Sequence, residues 1–447
     1  MDHIPQNMRM VAAKMSNRNQ NRFRLDTVSA DTAKAGRIVT VNLPENALID
    51  LKSFKMHFKA TCRGGLAGGV TSVGRLPADA SSLISRVEVY VNGVQVCGGA
   101  SEYHTISRIL RIGRTSREKD MTIDRCLSHS AIEEGNVNEV ASLVLYDWKG
   151  FLSECATRYL PTDLVGQVQV RLTFAGDEVI VPRTDANLSL AQDSVDKLAS
   201  AKLVSYEASE IFFTVDTIQV DEMYHTMLRE RLATEGEIRL NYKEYYTWLT
   251  AGHTSTACNT RFSLSSGSID KLYAVIRNGN HQTVGVPCLA MTPSFGDTFV
   301  ANPFRFRTLS DNSTATTEGD LRYTWSLNNV QYPQFRAGVL NAVFDLAYAN
   351  DKIHDSSNGC IVSNLSTFHD GLGVFSLTLN QPGEPISVQS GYDSKGVNSQ
   401  MNFNLDGIAI PTVSGEFGIL ANYSTFIVAE TTAQLVVGLG RSISVSY

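Results

Sequence analysis

The stretch RVEVYVNGVQV, Arg86 to Val96, constrains the fold more than any other part of the chain. It alternates apolar and polar residues, breaks at Asn92-Gly93, and alternates again. Strand side chains point to opposite faces in turn, so Val87, Val89 and Val91 share one face, with Arg86, Glu88 and Tyr90 on the other. Such a strand is half buried. Asn-Gly accepts the two positive φ values of a type I′ turn, which predicts a two-residue hairpin. A second version, KLYAVIRNGNHQ, stands at Lys271 to Gln282. Laying one on the other pairs Asn92 with Asn278, Gly93 with Gly279, Val89 with Val275 and Ser82 with Ser268. Asn-Gly turns recur by chance in β proteins, so the match gains weight only from its surroundings.

The surroundings repeat as well. Strands IVTVNL and FKMHFKA precede the first hairpin, separated by LPENALIDLKS, and residues 61–69 read as a Gly-rich loop. SEYHTISRILRI, Ser101 to Ile112, switches to a helical period, with Tyr103, Ile106 and Leu110 on one face. GQVQVRLTFAG, Gly166 to Gly176, alternates cleanly, and SEIFFTV, Ser209 to Val215, is a further strand. QVDEMYHTMLRERL, Gln219 to Leu232, breaks the β pattern and predicts a helix with Val220, Met223, Met227 and Leu232 on one face. Strands then resume at EIRLNYKEYYTWL. The second hairpin follows, then a polar loop from Leu309 to Asp320. A helical stretch comes next, Gln334 to Ala349, with a stripe of Phe335, Val339, Val343 and Leu346. VFSLTLN, MNFNLDG, YSTFIVAE, AQLVVGLG and RSISVSY complete the strands.

At 447 residues the chain exceeds one compact core, and two all-β domains of about 200 residues each fit it. Eight-stranded jelly rolls are the usual double-sheet solution. Strands do not alternate regularly with long helices, which disfavours a parallel α/β fold. The expected fold is all-β: two eight-stranded antiparallel jelly rolls in tandem, with short inserted helices and a linking helix. The expected division is an N-terminal arm over 1–24, a first jelly roll over 25–217, a linker helix over 218–236 and a second jelly roll over 237–447.

With 43% hydrophobic and 19% charged residues, the chain can build real cores and does not read as disordered. A net charge of -6 gives no global basic character for nucleic acid. No apolar run reaches the length of a membrane-spanning helix. The start, MDHIPQNMRMVAAKM, lacks the apolar core of a secretory signal. The seven cysteines are scattered without a CxxC pair, which predicts reduced, mostly buried thiols in a protein folded inside a cell. The glycosylation patterns at Asn187, Asn312, Asn364 and Asn422 then count as chance matches.

Catalytic signatures are missing from the sequence. It has no GxxxxGK[ST] loop, no GxSxG elbow and no HExxH pair. His57 and His104 have no metal-ligand spacing to Cys62 or Cys97. Glu133-Glu134 reads as a solvated face rather than a glycosidase pair. The expectation is no enzyme activity and no cofactor. Tyr242, Tyr245, Tyr246 and Trp248 form the richest aromatic cluster; strand packing outweighs a sugar cleft for them. Within residues 1–24, Arg9, Lys14, Arg18, Arg22 and Arg24 face only Asp2. They make either a solvated tail or an arm that orders against an anionic or protein surface.

Four passages carry a family resemblance. They are SLISRVEVYVNG, Ser82 to Gly93, with the YHTISRIL helix after it; RYLPTDLVGQVQVRLTFA, Arg158 to Ala175; YEASEIFFTVDTIQVDEMYH, Tyr206 to His225; and GYDSKGVNSQMNFNLDG, Gly391 to Gly407. With these the chain resembles the double jelly-roll major capsid proteins of tailless icosahedral double-stranded DNA viruses, in the flavour of Polinton-like viruses and virophages. The resemblance runs over residues 25–447 in the family's order. It implies a structural protein whose homotrimer forms a pseudo-hexameric capsomer. Its implied partners are neighbouring capsomers, penton and minor capsid proteins, with an internal membrane left open and no sequence-specific nucleic acid. Its implied location is the virion, assembled inside the infected host cell. Arg9, Lys14, Arg18, Arg22 and Arg24 would then contact the inner face or a neighbouring capsomer. The chain is shorter than many relatives, which implies modest outer loops and puts a receptor role in doubt. Two other readings stay open at this point: a carbohydrate-binding or carbohydrate-cleaving β-sandwich protein, and a minor coat or spike protein.

Overall fold

A computed structural model describes residues 19–114, 140–184, 203–278, 319–350, 372–408 and 423–447, less a few positions inside these ranges, together with Phe304, Phe306, Thr308 and Phe368. The principal strands and helices are numbered below in chain order; minor strands are given by residue range.

The first half contains β1 (Asn19–Asp26), β2 (Ile38–Asn42), β3 (Leu48–Arg63), β4 (Ile84–Val91), β5 (Val94–Cys97), helix α1 (Tyr103–Arg114), β6 (Val140–Leu145), β7 (Val168–Phe174) and β8 (Ser205–Gln219). Helix α2 (Glu222–Glu235) links it to the second half. There follow β9 (Glu237–Leu249), β10 (Cys258–Phe262), β11 (Ile269–Asn278), β12 (Arg322–Leu327), β13 (Val330–Ala337), helix α3 (Val339–Ala349), β14 (Phe375–Thr378), β15 (Met401–Asp406), β16 (Tyr423–Gly438) and β17 (Ile443–Ser446).

In the first half one sheet runs β1-β8-β3, with β6 and the short strand Tyr159–Pro161 sharing the far edge of β3. The facing sheet runs β2-β7-β4-β5. In the second half the sheets run β9-β16-β11-β14 and β10-β15-β12-β13, with β17 added beside β16. Adding eight to each strand number turns the first pair of sheets into the second. Every one of these pairings is antiparallel. This is the expected pair of jelly rolls in tandem. A small extra sheet, formed by Gly65–Ala67, Val70–Arg75 and Val181–Thr184, sits on the first half.

Alternation in the sequence becomes alternation in burial. Val168, Val170, Leu172 and Phe174 of β7 are buried while Arg171 between them is exposed. Val87, Val89 and Val91 of β4 are likewise buried. Phe54 stacks on Phe213 at 5.3 Å between ring centroids, and Trp148 Nε1 donates to the Phe54 carbonyl at 2.9 Å. In the second core Trp325 lies 4.4 Å from Phe403 and 6.4 Å from Phe262. Each such aromatic contributes about 1.5–3 kcal/mol by leaving water. Cys62, Cys155 and Cys258 are buried free thiols, and Cys97 is a half-buried one.

The structure corrects several local expectations. Residues 61–67 of the expected loop are largely strand: Thr61–Arg63 ends β3, and Gly65–Ala67 pairs with Val70–Arg75. Only residues 43–47 of LPENALIDLKS separate two strands, because β3 already starts at Leu48. The buried stripe of α2 is Tyr224, Leu228 and Leu232, while Met223 is exposed. Gln334–Ala337 belongs to β13, and α3 buries Val339, Ala342, Leu346 and Ala349, leaving Phe335 outside. Helical stripes one residue apart are hard to separate when apolar residues fall on both faces.

The repeated phrase needs the largest correction. The β4-β5 turn has φ 48° at Asn92 and 81° at Gly93, as a type I′ hairpin requires. Its topological counterpart is the β12-β13 turn, with φ 48° at Asn328 and 69° at Asn329. Asn278 instead closes β11, the counterpart of β3, and Gly279 lies outside the described residues. Asn-Gly reports local turn chemistry and carries no address within the sheet. The body plan does repeat, but the second Asn-Gly does not mark the repeat.

Candidate functional site

The two jelly rolls share a seam, and α1 is its wedge. Every residue of α1 is buried except Arg108 and Arg114, which keep partial exposure. Tyr103 joins the first core. Ile106, Ile109, Leu110 and Ile112 join the second. In return, Ile238, Leu240 and Tyr242 of β9 and Ala433, Leu435 and Val437 of β16 join the first core. A helix buried all round belongs inside a protein, and here that interior lies between two barrels.

Several charged groups in the seam form ion pairs. Arg277 of β11 meets Glu102, just before α1, at 2.6 Å. Arg111 meets Asp79 at 2.8 Å, both buried. Arg114 bridges Glu154 and Glu430, the latter at 2.8 Å. Tyr245 Oη donates to Glu154 at 2.6 Å. Lys243 meets Asp270 at 2.7 Å and Thr432 at 3.0 Å. Burial alone would raise the Glu430 carboxyl, but Lys271, Arg114 and Lys243 hold it down to about 2. Burial lowers the Lys271 ammonium, with Glu430 opposing. The sequence reading missed this whole network. Its available signal was Glu430 inside the apolar run YSTFIVAETTAQLVV, since carboxylates are almost never fully buried unless paired.

The aromatic cluster is spent on packing. Tyr242 is fully buried, donates to the Val96 carbonyl at 2.7 Å and meets Phe151 edge-on at 5.4 Å. Trp248 packs on Phe262 at 5.0 Å. His57 stacks on Phe212, whereas His104 packs against Phe304. Among the described residues no group of three or more His, Cys, Asp or Glu is placed to hold a metal ion. Glu133-Glu134 and the asparagines of the four glycosylation patterns lie outside the described residues.

Of the basic arm, Arg9, Lys14 and Arg18 lie outside the described residues. Arg22 and Arg24 sit on β1, which begins at Asn19 and crosses the expected arm boundary at residue 24. Arg22 Nε lies 2.7 Å from Asp216 Oδ1, and Gln20 donates to the same carboxylate at 3.0 Å. The hydrogen bond from Arg22 holds the Asp216 carboxyl below its usual range. Arg24 lies over the Phe212 ring at 4.4 Å. Both arginines keep two thirds of their side chains exposed.

No protein-family model matches the chain, and no curated protein matches its sequence. Solved structures do. The PBCV-1 virus capsid superposes with a TM-score of 0.61 at 13% identity, covering 97% of this chain and 98% of that one. PBCV-1 VP54, fitted into a reconstruction of the virophage Sputnik, gives 0.61 at 12% identity with the same coverage. The fold is that of the double jelly-roll major capsid proteins. The Faustovirus major capsid protein is a further double jelly roll similar to this chain, with a TM-score of 0.56 at 10% identity over 95% of this chain and 91% of that one. At such identities the likeness is one of fold. The double jelly roll here has its two barrels locked by the α1 seam.

Proposed function

We propose that the chain is a major capsid protein of a tailless icosahedral double-stranded DNA virus. Three copies close into a pseudo-hexameric capsomer, and capsomers tile the shell. One observation carries this: a strand order repeated with a shift of eight, in a chain that matches the PBCV-1 capsid over nearly the full length of both. Two rigidly joined barrels give one chain two of six similar lobes, and identical contacts repeated around an axis close into a ring. The role is structural and the location the virion. Neighbouring capsomers, penton and minor capsid proteins are the proposed partners, with an internal membrane as a further surface. The division into 1–24, 25–217, 218–236 and 237–447 belongs to this proposal. So does the role of Arg9, Lys14, Arg18, Arg22 and Arg24 in contacting the inner face or a neighbour. A carbohydrate-binding role loses its support once Tyr242 and Trp248 are committed to packing.

Negative-stain microscopy of the purified chain tests the proposal. The expected outline is six-sided or triangular and about 70–100 Å across, scaled from six ordinary domains. Glycan binding by a single-chain species would overturn it.

A further inference from the structure

Lys243 of β9, Thr432 of β16 and Asp270 of β11 stand side by side on three neighbouring strands. Lys243 is the direct ladder partner of Thr432. Asp270 sits in the register shift between Ile269 and Lys271, where β11 leaves its regular ladder with β16. Lys243 Nζ lies 2.7 Å from Asp270 Oδ2 and 3.7 Å from Glu430 Oε1. The Lys243 side chain is 11% exposed, that of Asp270 1% and that of Glu430 2%. An amine, a carboxyl group and a second carboxylate thus share one site nearly closed to water.

The residue types suit chemistry better than they suit a static pair. Arginine is the usual choice for a buried ion pair, and the neighbouring pairs Arg111–Asp79, Arg277–Glu102 and Arg114–Glu430 follow it. Arginine does not lose its proton in a protein; lysine can, and is then a nucleophile. Two other lysine–carboxylate pairs lack the arrangement. Lys59–Glu210 is exposed on both sides, and Asp147 opposite Lys149 is 40% exposed. Both carboxyl oxygens of Asp270 also receive a hydroxyl donor. Ser268 Oγ donates to Oδ1 at 2.8 Å, and Thr432 Oγ1 donates to Oδ2 at 2.6 Å. Donors so placed stabilise the negative charge that develops when a carboxyl carbon is attacked.

We propose that Lys243 and Asp270 condense to an isopeptide bond, with Glu430 as the proton carrier. A proton on Lys243 Nζ first crosses the 2.7 Å hydrogen bond to Asp270 Oδ2, leaving a neutral amine beside a neutral carboxylic acid. The amine lone pair attacks Cγ, and the C=O electron pair moves to Oδ1, where the Ser268 hydroxyl holds it. Glu430 takes one of the two amine protons and hands it to the Oδ2 hydroxyl. The Cγ–Oδ2 bond breaks, the carbonyl reforms and one water leaves. In sum an ammonium and a carboxylate become one amide and one water, and no further reactant is needed. Neutral Lys243 no longer counts among the three cations that hold the Glu430 carboxyl down, so Glu430 is a better base when the proton must be taken. Lys271 and Arg114 still face it afterwards. Groups held in such contact react as if present at about 10⁵–10⁸ M. The amide also removes a buried charge pair and its desolvation cost. The bond clamps β9 to β11 across β16. It goes beyond the capsomer role and belongs to the single chain, whatever that chain assembles into.

Intact-mass spectrometry of the denatured full chain reads the bond. The wild type should be one water lighter than its sequence mass. A tryptic digest should yield a branched peptide in which residues 240–261, uncut after Lys243, are joined to residues 262–271. Lys243→Arg keeps the charge without the nucleophile and should restore the full sequence mass. Glu430→Gln keeps both reacting groups and should leave most of the chain uncondensed, which a purely structural role of Glu430 would not do in a variant that still melts cooperatively. Complete condensation in Glu430→Gln overturns its part as proton carrier. The wild-type mass decides the bond without any variant. A wild type at full sequence mass, or a lost water that maps to another peptide, overturns the proposal and leaves an ion pair only. The capsomer role stands or falls separately, on the assembly state of the chain.

Discussion

Arg277 and Glu102 form a 2.6 Å ion pair across the junction of the two barrels, with the arginine side chain only 2% exposed. The same guanidinium donates to Thr105 Oγ1 at 3.2 Å and lies over the Phe426 ring at 4.6 Å. Burial pushes the Arg277 pKa down and Glu102 opposes that shift. The barrel partner of the cation therefore sits in the other half of the chain.

Removing that partner strands a buried charge. Glu102→Gln should destabilise the protein by about 3–5 kcal/mol, the cost typical of breaking a buried pair from one side. Adding Arg277→Met should restore much of the loss. Urea unfolding midpoints across the four-member cycle measure it. A neutral effect of Glu102→Gln would mean the junction pair contributes nothing to joining the barrels.

Acid should loosen the same junction. Glu430 is held at about 2, below its ordinary value of 4.5, chiefly against burial by Lys271, Arg114 and Lys243. A depressed carboxylate stabilises the fold fully above its unfolded value, and loses that contribution as pH falls through its folded value. The loss should run from about pH 4.5 to about pH 2 and amount to about 3 kcal/mol. Glu430→Gln should flatten the stability–pH curve in that window and lower stability at pH 7. Chemical denaturation at stepped pH values reads both.

The wedge helix ties the fate of one barrel to the other. Ile109 belongs by chain order to the first half, yet it is buried in the second core. Ile109→Ala should cost about 2–5 kcal/mol. Hydrogen exchange should show β12 and β15 losing protection together with β4 and β7. Loss confined to one half would show that the barrels unfold independently.

The paired hairpin turns give a conformational test. Asn329 holds φ 69° at the position where the first barrel has Gly93. Asn329→Gly should gain up to about 1 kcal/mol, because glycine takes that φ without a Cβ penalty. Gly93→Ala should lose about 1–2 kcal/mol. Thermal melts of the two variants should shift in opposite directions.

What the sequence made legible follows from periodicity. β4 and β7 could be read because one face of each strand is buried and the alternation survives. The Asn92-Gly93 turn could be read because its backbone demands that chemistry. The counterpart of that turn could not, because Asn328-Asn329 meets the same demand with different letters. The β1 strand was hidden because Arg22 and Arg24 lie on an exposed face without an apolar pattern. The junction network was hidden for another reason: Glu102 and Arg277, or Arg114 and Glu430, are brought together only by the packing of one barrel on the other. Phe335 looked like part of the helical stripe because it stands four residues before Val339, but it belongs to β13 and is exposed.

On the proposed function, one chain supplies two matched barrels whose flanks build a closed assembly. Mass photometry of the purified wild-type chain tests it most directly. The expected result is one dominant species at three times the 48.9 kDa chain mass. A population that stays at the mass of one chain at micromolar concentration would contradict it.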